Sequence, residues 1–207
     1  MMRQLPALFQ RHRGLAGKFL FEIVIVFVGV TAAFAVDSYR QDAEDAAYRH
    51  SMVAALVPTL EDLIRHNAEF DSEVSGKLAA FNAALSHGEH PALPIFREQN
   101  SERPPTRAWD GIVSTGAAKT LKPALFFDLA LFYTRQESFG ERYVRYNDFT
   151  ETRVYALGPD PAALYASDGR LKPEFAAHVD RLRDLKIAND NLTRQAVVLR
   201  DELAKVR

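Results

Sequence analysis

FLFEIVIVFVGVTAAFAV, Phe19–Val36, decides how this chain is read. Its one charge is Glu22, and Ile23–Val36 is an uncharged run. A helix needs about 20 largely apolar residues to cross ~30 Å of hydrocarbon. The uncharged core is shorter, so Lys18 and Glu22 belong near one interface. Lys18 snorkels. Glu22, one turn further on, reaches the same headgroup region or pairs with Lys18.

The flanks give this segment a direction. Residues 1–18 carry Arg3, Arg11, Arg13, Lys18 and His12 and no acid. Asp37, Asp42, Glu44 and Asp45 follow the run, against Arg40 alone. The positive-inside rule holds the basic flank in the cytoplasm. The expected organisation is therefore a basic cytoplasmic segment over 1–17, a transmembrane helix over 18–37 and an extracytoplasmic domain over 38–207. In a bacterium that is a single-pass inner-membrane protein with its C-terminal domain in the periplasm. Two other readings compete. A cleaved signal peptide has the same charge order, and Ala33-Phe34-Ala35 fits a cleavage site. Helical, charge-rich sequence running past Asp37 without Pro or Gly argues against cleavage. A pilin-like leader is suggested by Gly17 before Glu22 and by GVTAAFAVDSY. The spacing from Glu22 to Gly29 and the lack of strands argue against it.

Composition bounds the remainder. Of 207 residues, 47% are hydrophobic and 26% charged, which suits a globular chain and neither a disordered nor a multi-span one. Lys+Arg 26 against Asp+Glu 27 leaves a net charge of -1, unlike the basic surplus of a dedicated nucleic-acid binder. With no Cys, disulfides, thiolate metal sites, iron–sulfur clusters and cysteine nucleophiles are excluded.

From Ala43 onward the apolar residues step by three and four: Ala43, Ala46, Val53, Val57, Leu60, Ile64, Val74, Leu78, Phe81 and Leu85. His50, Asn67 and Asp71 fill polar slots in the same series. This is a heptad seam about six repeats long. Pro58 lies inside it, and His87-Gly88 ends it. Glu89–Pro105, with four prolines, reads as a loop. Thr106 opens a short helix through Val113, closed by Ser114-Thr115-Gly116. Lys122-Pro123 opens a third helix with the seam Leu125, Leu129, Phe132, Phe139, Tyr143 and Tyr146, and Gln136 as its polar slot. Gly158-Pro159-Asp160-Pro161 is a break, followed by a helical turn through Tyr165. Lys172-Pro173 opens the last helix. Its seam is Phe175, Leu182, Leu185, Leu192, Ala196, Leu199, Leu203 and Val206, with His178 and Asn189 in polar slots.

No alternating strand pattern and no internal repeat is evident. Each amphipathic stripe needs a partner. The fold class is all-α: an N-terminal transmembrane helix followed by an elongated helical bundle with coiled-coil-like seams. The first and last long helices are expected to pack antiparallel with Asn67 and Asn189 at one level. The alternative pairs the first seam with its copy in a second chain.

Two stretches resemble a known family. EIVIVFVGVTAAFAVDSYRQ, Glu22–Gln41, and WDGIVSTGAAKTL, Trp109–Leu121, are similar to elements of an uncharacterised family of bacterial single-pass membrane proteins with an N-terminal anchor, a domain of unknown function. Phe126–Tyr133 resembles a further stretch of it. Asp37-Ser38-Tyr39 stands where the family usually ends its segment on Trp. Ile112 and Thr115 replace the usual Leu and Ser. The resemblance implies topology and helical character, and no chemistry.

The sequence offers no catalytic, cofactor-binding or metal-binding constellation. His87-x-x-His90 is the nearest to a metal pair, but Gly88 and Pro91 make it a loop, and no third ligand is nearby. Phosphate loops, nucleophile elbows and His-Glu-x-x-His are absent. Arg142, Arg145 and Arg153 interleave with Tyr143, Tyr146 and Tyr155, a mix that binds anions or stacks on bases. The simpler reading is a polar face over an aromatic core. Two residues stand out. Glu22 breaks the membrane run and is a candidate contact with a basic residue of a neighbouring membrane protein. Trp109 is a candidate structural or partner anchor.

The function these features favour is a membrane-anchored interaction or scaffold subunit of a bacterial envelope complex, without catalysis or cofactor. Its partners would be the bilayer and other envelope proteins, not nucleic acid. The runner-up is a periplasmic ligand-sensing bundle. A pilin-like protein and an enzyme rank below both.

Overall fold

The structure is a computed structural model and describes residues 6–97, 106–114, 116 and 120–206. Among these the chain is all-α. Its α-helices are α1 (Pro6–Ser86), α2 (Thr106–Ser114), α3 (Pro123–Phe149) and α4 (Pro173–Ala204). Extended pairing among the described residues is confined to one bridge between Tyr165 and Leu171.

The helix ends follow their chemistry. Proline forces the preceding residue out of the helical region. Lys122 (ψ 137°) and Lys172 (ψ 145°) are held extended in this way, and Pro123 and Pro173 then open α3 and α4. At the end of α1, Gly88 takes φ +76°. Its N–H donates to Leu85 O (3.0 Å) and that of Glu89 to Ala84 O (3.0 Å), the two bonds of a Schellman turn.

The chain divides into two units, Met1–Tyr48 and Arg49–Arg207. In the first, Lys18 and Phe21–Tyr48 are exposed throughout. The α1 sequence is long and apolar enough to cross a membrane, with mean hydropathy 1.9 over the relevant window. Phe21, Phe27 and Phe34 stand outward. The Thr31 hydroxyl donates to Phe27 O at 2.8 Å, so the one alcohol between Phe21 and Val36 is satisfied within the helix. That suits a hydrocarbon environment, where a free donor costs several kcal/mol.

The second unit is built on three long helical segments: α1 from Arg49, α3 and α4. Along α1, the partners Asn67, Asp71 and Asn82 meet Asn189, Lys186 and Arg183 of α4 in falling order, so the two helices are antiparallel. One core layer joins Val53, Leu56 and Leu60 of α1 to Leu129 and Phe132 of α3 and to Ala196 and Leu203 of α4. The other joins Val74 and Phe81 to Tyr146, Phe175 and Leu182. Both α1 and α3 therefore run against α4 and parallel to each other. Asn67 and Asn189 do share a level: Asn189 Nδ2 donates to Asn67 O at 2.9 Å, and Asn67 Nδ2 to Thr193 Oγ1 at 3.1 Å.

Two sequence expectations are corrected. The α1 seam is buried from Met52, not from Ala43; Ala43, Ala46 and His50 are exposed. The layer at Met52–Leu60 already takes in Leu203 near the end of α4 and Leu125 near the start of α3. The stripes are also wider than single seams. Met52, Leu56 and Phe70 on α1, Tyr133 on α3 and Val179 on α4 are core residues too, because each helix touches two others. The Pro-rich segment after α1 is a loop over its described residues, 89–97, as expected, and it packs into the core. Leu93 and Phe96 are buried, and the Phe96 ring meets Phe70 edge-on at 4.6 Å. Lys77 Nζ donates to Ile95 O (2.6 Å), Tyr165 Oη to Pro91 O (2.7 Å), and Phe96 N–H to Tyr146 Oη (3.3 Å). Parallel α1 and α3 need a connection that travels back along the unit. Leu93 and Phe96 of this segment and Trp109 of α2 are part of the core.

A variant with cysteines at positions 67 and 189 and no other thiol is expected to cross-link within one chain using a short bifunctional reagent. Efficient 67–67 cross-linking between chains, with none to 189, would contradict the α1–α4 pairing.

Candidate functional site

Glu22 lies exposed on the apolar part of α1, one turn beyond exposed Lys18. Trp109 lies on α2 and is 8% exposed. Its indole stacks on the Tyr133 ring (5.3 Å, 12°) and tilts against Phe126 (5.6 Å). Trp109 therefore fastens the short helix to α3. The hydroxyl of Tyr133 is buried with no hydrogen-bond partner, and burial pushes its pKa up to about 12.

His87 is exposed, whereas the His90 ring tilts over Tyr165 at 4.5 Å. Among the described residues no three His, Asp or Glu side chains come together in a metal-holding group.

A buried polar cluster lies at the far end of α3. There the helix widens into a π turn, Thr150–Val154, followed by a tight turn at Tyr155–Leu157. The Thr150 hydroxyl donates to Tyr146 O at 3.0 Å and lies 3.0 Å from His178 Nε2. A hydroxyl has one proton, and the Tyr146 carbonyl takes it. His178 must then carry its proton on Nε2 and donate it to Thr150. Its Nδ1 is buried without a partner. The ring is sandwiched between Tyr146 (4.3 Å, 6°) and Phe149 (4.7 Å, 28°). A second proton would sit on Nδ1 with nothing to accept it. Burial and the nearby Arg181 charge lower the His178 pKa to about 4. Burial also raises Tyr146, to about 12.

Beside this cluster, α3 and α4 frame a half-open groove of about 450 Å³. Arg142, Arg145 and Phe149 line it from α3, and Arg181, Asp184 and Leu185 from α4. The Arg181 guanidinium lies 5.3 Å from the centre of the Phe149 ring. Arg145 reaches Glu141 at 3.7 Å. The π turn divides the arginines that the sequence interleaves. Arg153 falls in a neighbouring groove with Thr152 and Glu174, which shares Phe149 with the first. Arg181 takes its place, 36 residues after Arg145 in the chain, and no local pattern could have joined the two. The tyrosines separate as well: Tyr143 and Tyr146 are buried core, while Tyr155 is 46% exposed.

At the α1–α4 contact, Lys186 Nζ lies 2.5 Å from Asp71 and 3.1 Å from Asp190. The Lys186 hydrogen bond holds the Asp71 pKa below its ordinary value, and the reciprocal bond raises that of Lys186.

Comparisons with protein-family models, curated proteins and solved structures find no significant match for this chain.

Two measurements test this geometry. Trp109→Ala is expected to cost ~3–5 kcal/mol of stability, whereas Tyr133→Phe keeps the stack, removes an unpaired hydroxyl and is expected to be neutral or stabilising by about 1 kcal/mol. Denaturant unfolding of both variants checks this. An unchanged midpoint for Trp109→Ala would instead mark the indole as exposed. The second concerns acid. Between pH 6.5 and about 4 the unfolded chain protonates at residue 178 and the folded chain does not. Stability therefore falls as the pH drops through that window, by roughly 3 kcal/mol at most. The unfolding free energy of His178→Phe is expected to be flatter than that of the natural chain over the same range.

Proposed function

We propose that this chain is a membrane-anchored helical interaction subunit of a bacterial envelope complex, with its helical domain in the periplasm and no chemistry of its own. The observation that carries the reading is the apolar stretch of α1: from Phe21 to Val36 every residue is exposed. A run of this composition in water would be prohibitive, and a bilayer removes the cost. The basic flank before it and the acidic flank after it support a cytoplasmic N-terminus. The likeness of Glu22–Gln41 and Trp109–Leu121 to a family of single-pass membrane proteins points the same way. Exposed apolar side chains on the second unit, among them Phe127, Leu131 and Ile187, offer contacts to a protein partner.

In this reading Glu22 faces a basic group of a neighbouring membrane protein. A carboxylate inside a membrane segment persists where it has a partner or a role. The second reading, a ligand-sensing bundle, is favoured by the arginine-lined groove between α3 and α4.

Two experiments test the proposal. Intact-mass measurement of membrane-extracted protein is expected to find the apolar helix retained. A species beginning at Val36 would make Phe19–Ala35 a cleaved signal and end the anchor reading. Purification of the natural chain in mild detergent is expected to bring a stoichiometric protein partner, which Glu22→Gln loses while remaining folded. A homogeneous lone chain would overturn the subunit reading.

A further inference from the structure

We infer that the groove between α3 and α4 is a binding site for a small organic phosphate monoester with an apolar body. Three observations meet there. Arg142, Arg145 and Arg181 border one half-open space of about 450 Å³, within the usual range for small-ligand sites. Their charge is poorly neutralised inside the protein. Arg145 has a distant ion pair with Glu141, and neither Arg142 nor Arg181 has a carboxylate within ion-pair distance among the described residues. Other arginines of the same unit, such as Arg183 with Asp180 and Arg200 with Asp201, do pair. The lining between the guanidiniums is apolar: Phe149, Leu185 and the buried ring of Tyr146.

This combination selects the ligand class. Guanidinium forks match the oxygens of phosphate, and three of them suit the three terminal oxygens of a monoester dianion. An inorganic ion would leave the aromatic floor empty, whereas an ester carries a ring or acyl body onto it. Arg181 is held over the Phe149 face, which fixes its fork before the ligand arrives. Asp184, also in the lining, keeps the net positive charge moderate and can accept from a hydroxyl on the ligand. The π turn gives the site its shape, since it ends the regular α3 helix just past Phe149 and carries Arg153 out of the groove.

The inference does not depend on the interaction-subunit reading. The ester could be free in solution or be the headgroup of a lipid such as phosphatidic acid, and the chemistry is shared. The test uses the full chain in neutral detergent and three probes: phenyl phosphate, inorganic phosphate and short-chain phosphatidic acid, each titrated calorimetrically. Phenyl phosphate is expected to bind saturably and about tenfold tighter than inorganic phosphate. Arg142→Gln and Arg181→Gln should each weaken it about tenfold or more while the chain remains folded, as circular dichroism reads it. Arg153→Gln, in the neighbouring groove, should leave it unaltered. Phosphatidic acid displacing phenyl phosphate at lower concentration supports the site with a lipid as its source. Weaker displacement supports it with a free ester. Absent saturation by phenyl phosphate, or binding that survives both arginine substitutions, would overturn the inference.

Discussion

The second unit depends on the burial of α4 from two sides. Ten of its positions, from Phe175 to Leu203, are withdrawn from water. A single neighbouring helix cannot cover so wide a stripe, so α4 needs both α1 and α3. Each must run against it for the residues to meet as they do, and this makes α1 and α3 parallel. The rest follows from that arrangement: a connection that doubles back, aromatic side chains drawn into the core from an irregular segment, and a short helix fastened by Trp109. The polar contact of Asn67 with Asn189 and Thr193 sits inside this seam. It adds little net energy, but a shifted register would leave buried amides unpaired, which fixes the alignment.

Much of this was legible in the chain. The three-four spacing of Phe175, Leu182, Leu185, Leu192, Ala196, Leu199 and Leu203 names the buried face of α4 almost residue by residue, because helical periodicity and burial share one cause. Lys122-Pro123 and Lys172-Pro173 mark helix starts through a steric rule that tertiary structure does not override. The failures also have causes. Ala43 and Ala46 keep the spacing but are exposed, and spacing alone carries no information about where a buried seam ends. Leu93 and Phe96 lie among prolines, where no periodicity can announce burial.

The candidate site was less legible still. Arg142 and Arg145 could be singled out, but Arg181 is brought to them only by the antiparallel packing of α3 and α4. The π turn at Thr150 has no local signature, yet it decides which arginines share a groove. His178 could be placed in the seam as a polar slot. That it is stacked between two rings, with one nitrogen unpaired, depends on residues from another helix.

The parallel course of α1 and α3 also bears on the order in which the protein can be built. The layer holding Val53 and Leu56 is completed by Leu199 and Leu203, so its first and last members are separated by most of the domain. An up-and-down bundle closes layer by layer as each hairpin forms. Here the layer beside Arg49 stays open until the final turns of α4 have left the ribosome. Its contacts are strongly non-local, which slows folding and leaves apolar surface bare during synthesis. On a chain that is also delivering an apolar helix, the interval between the appearance of Val53 and that of Leu203 is when a chaperone has the most to cover.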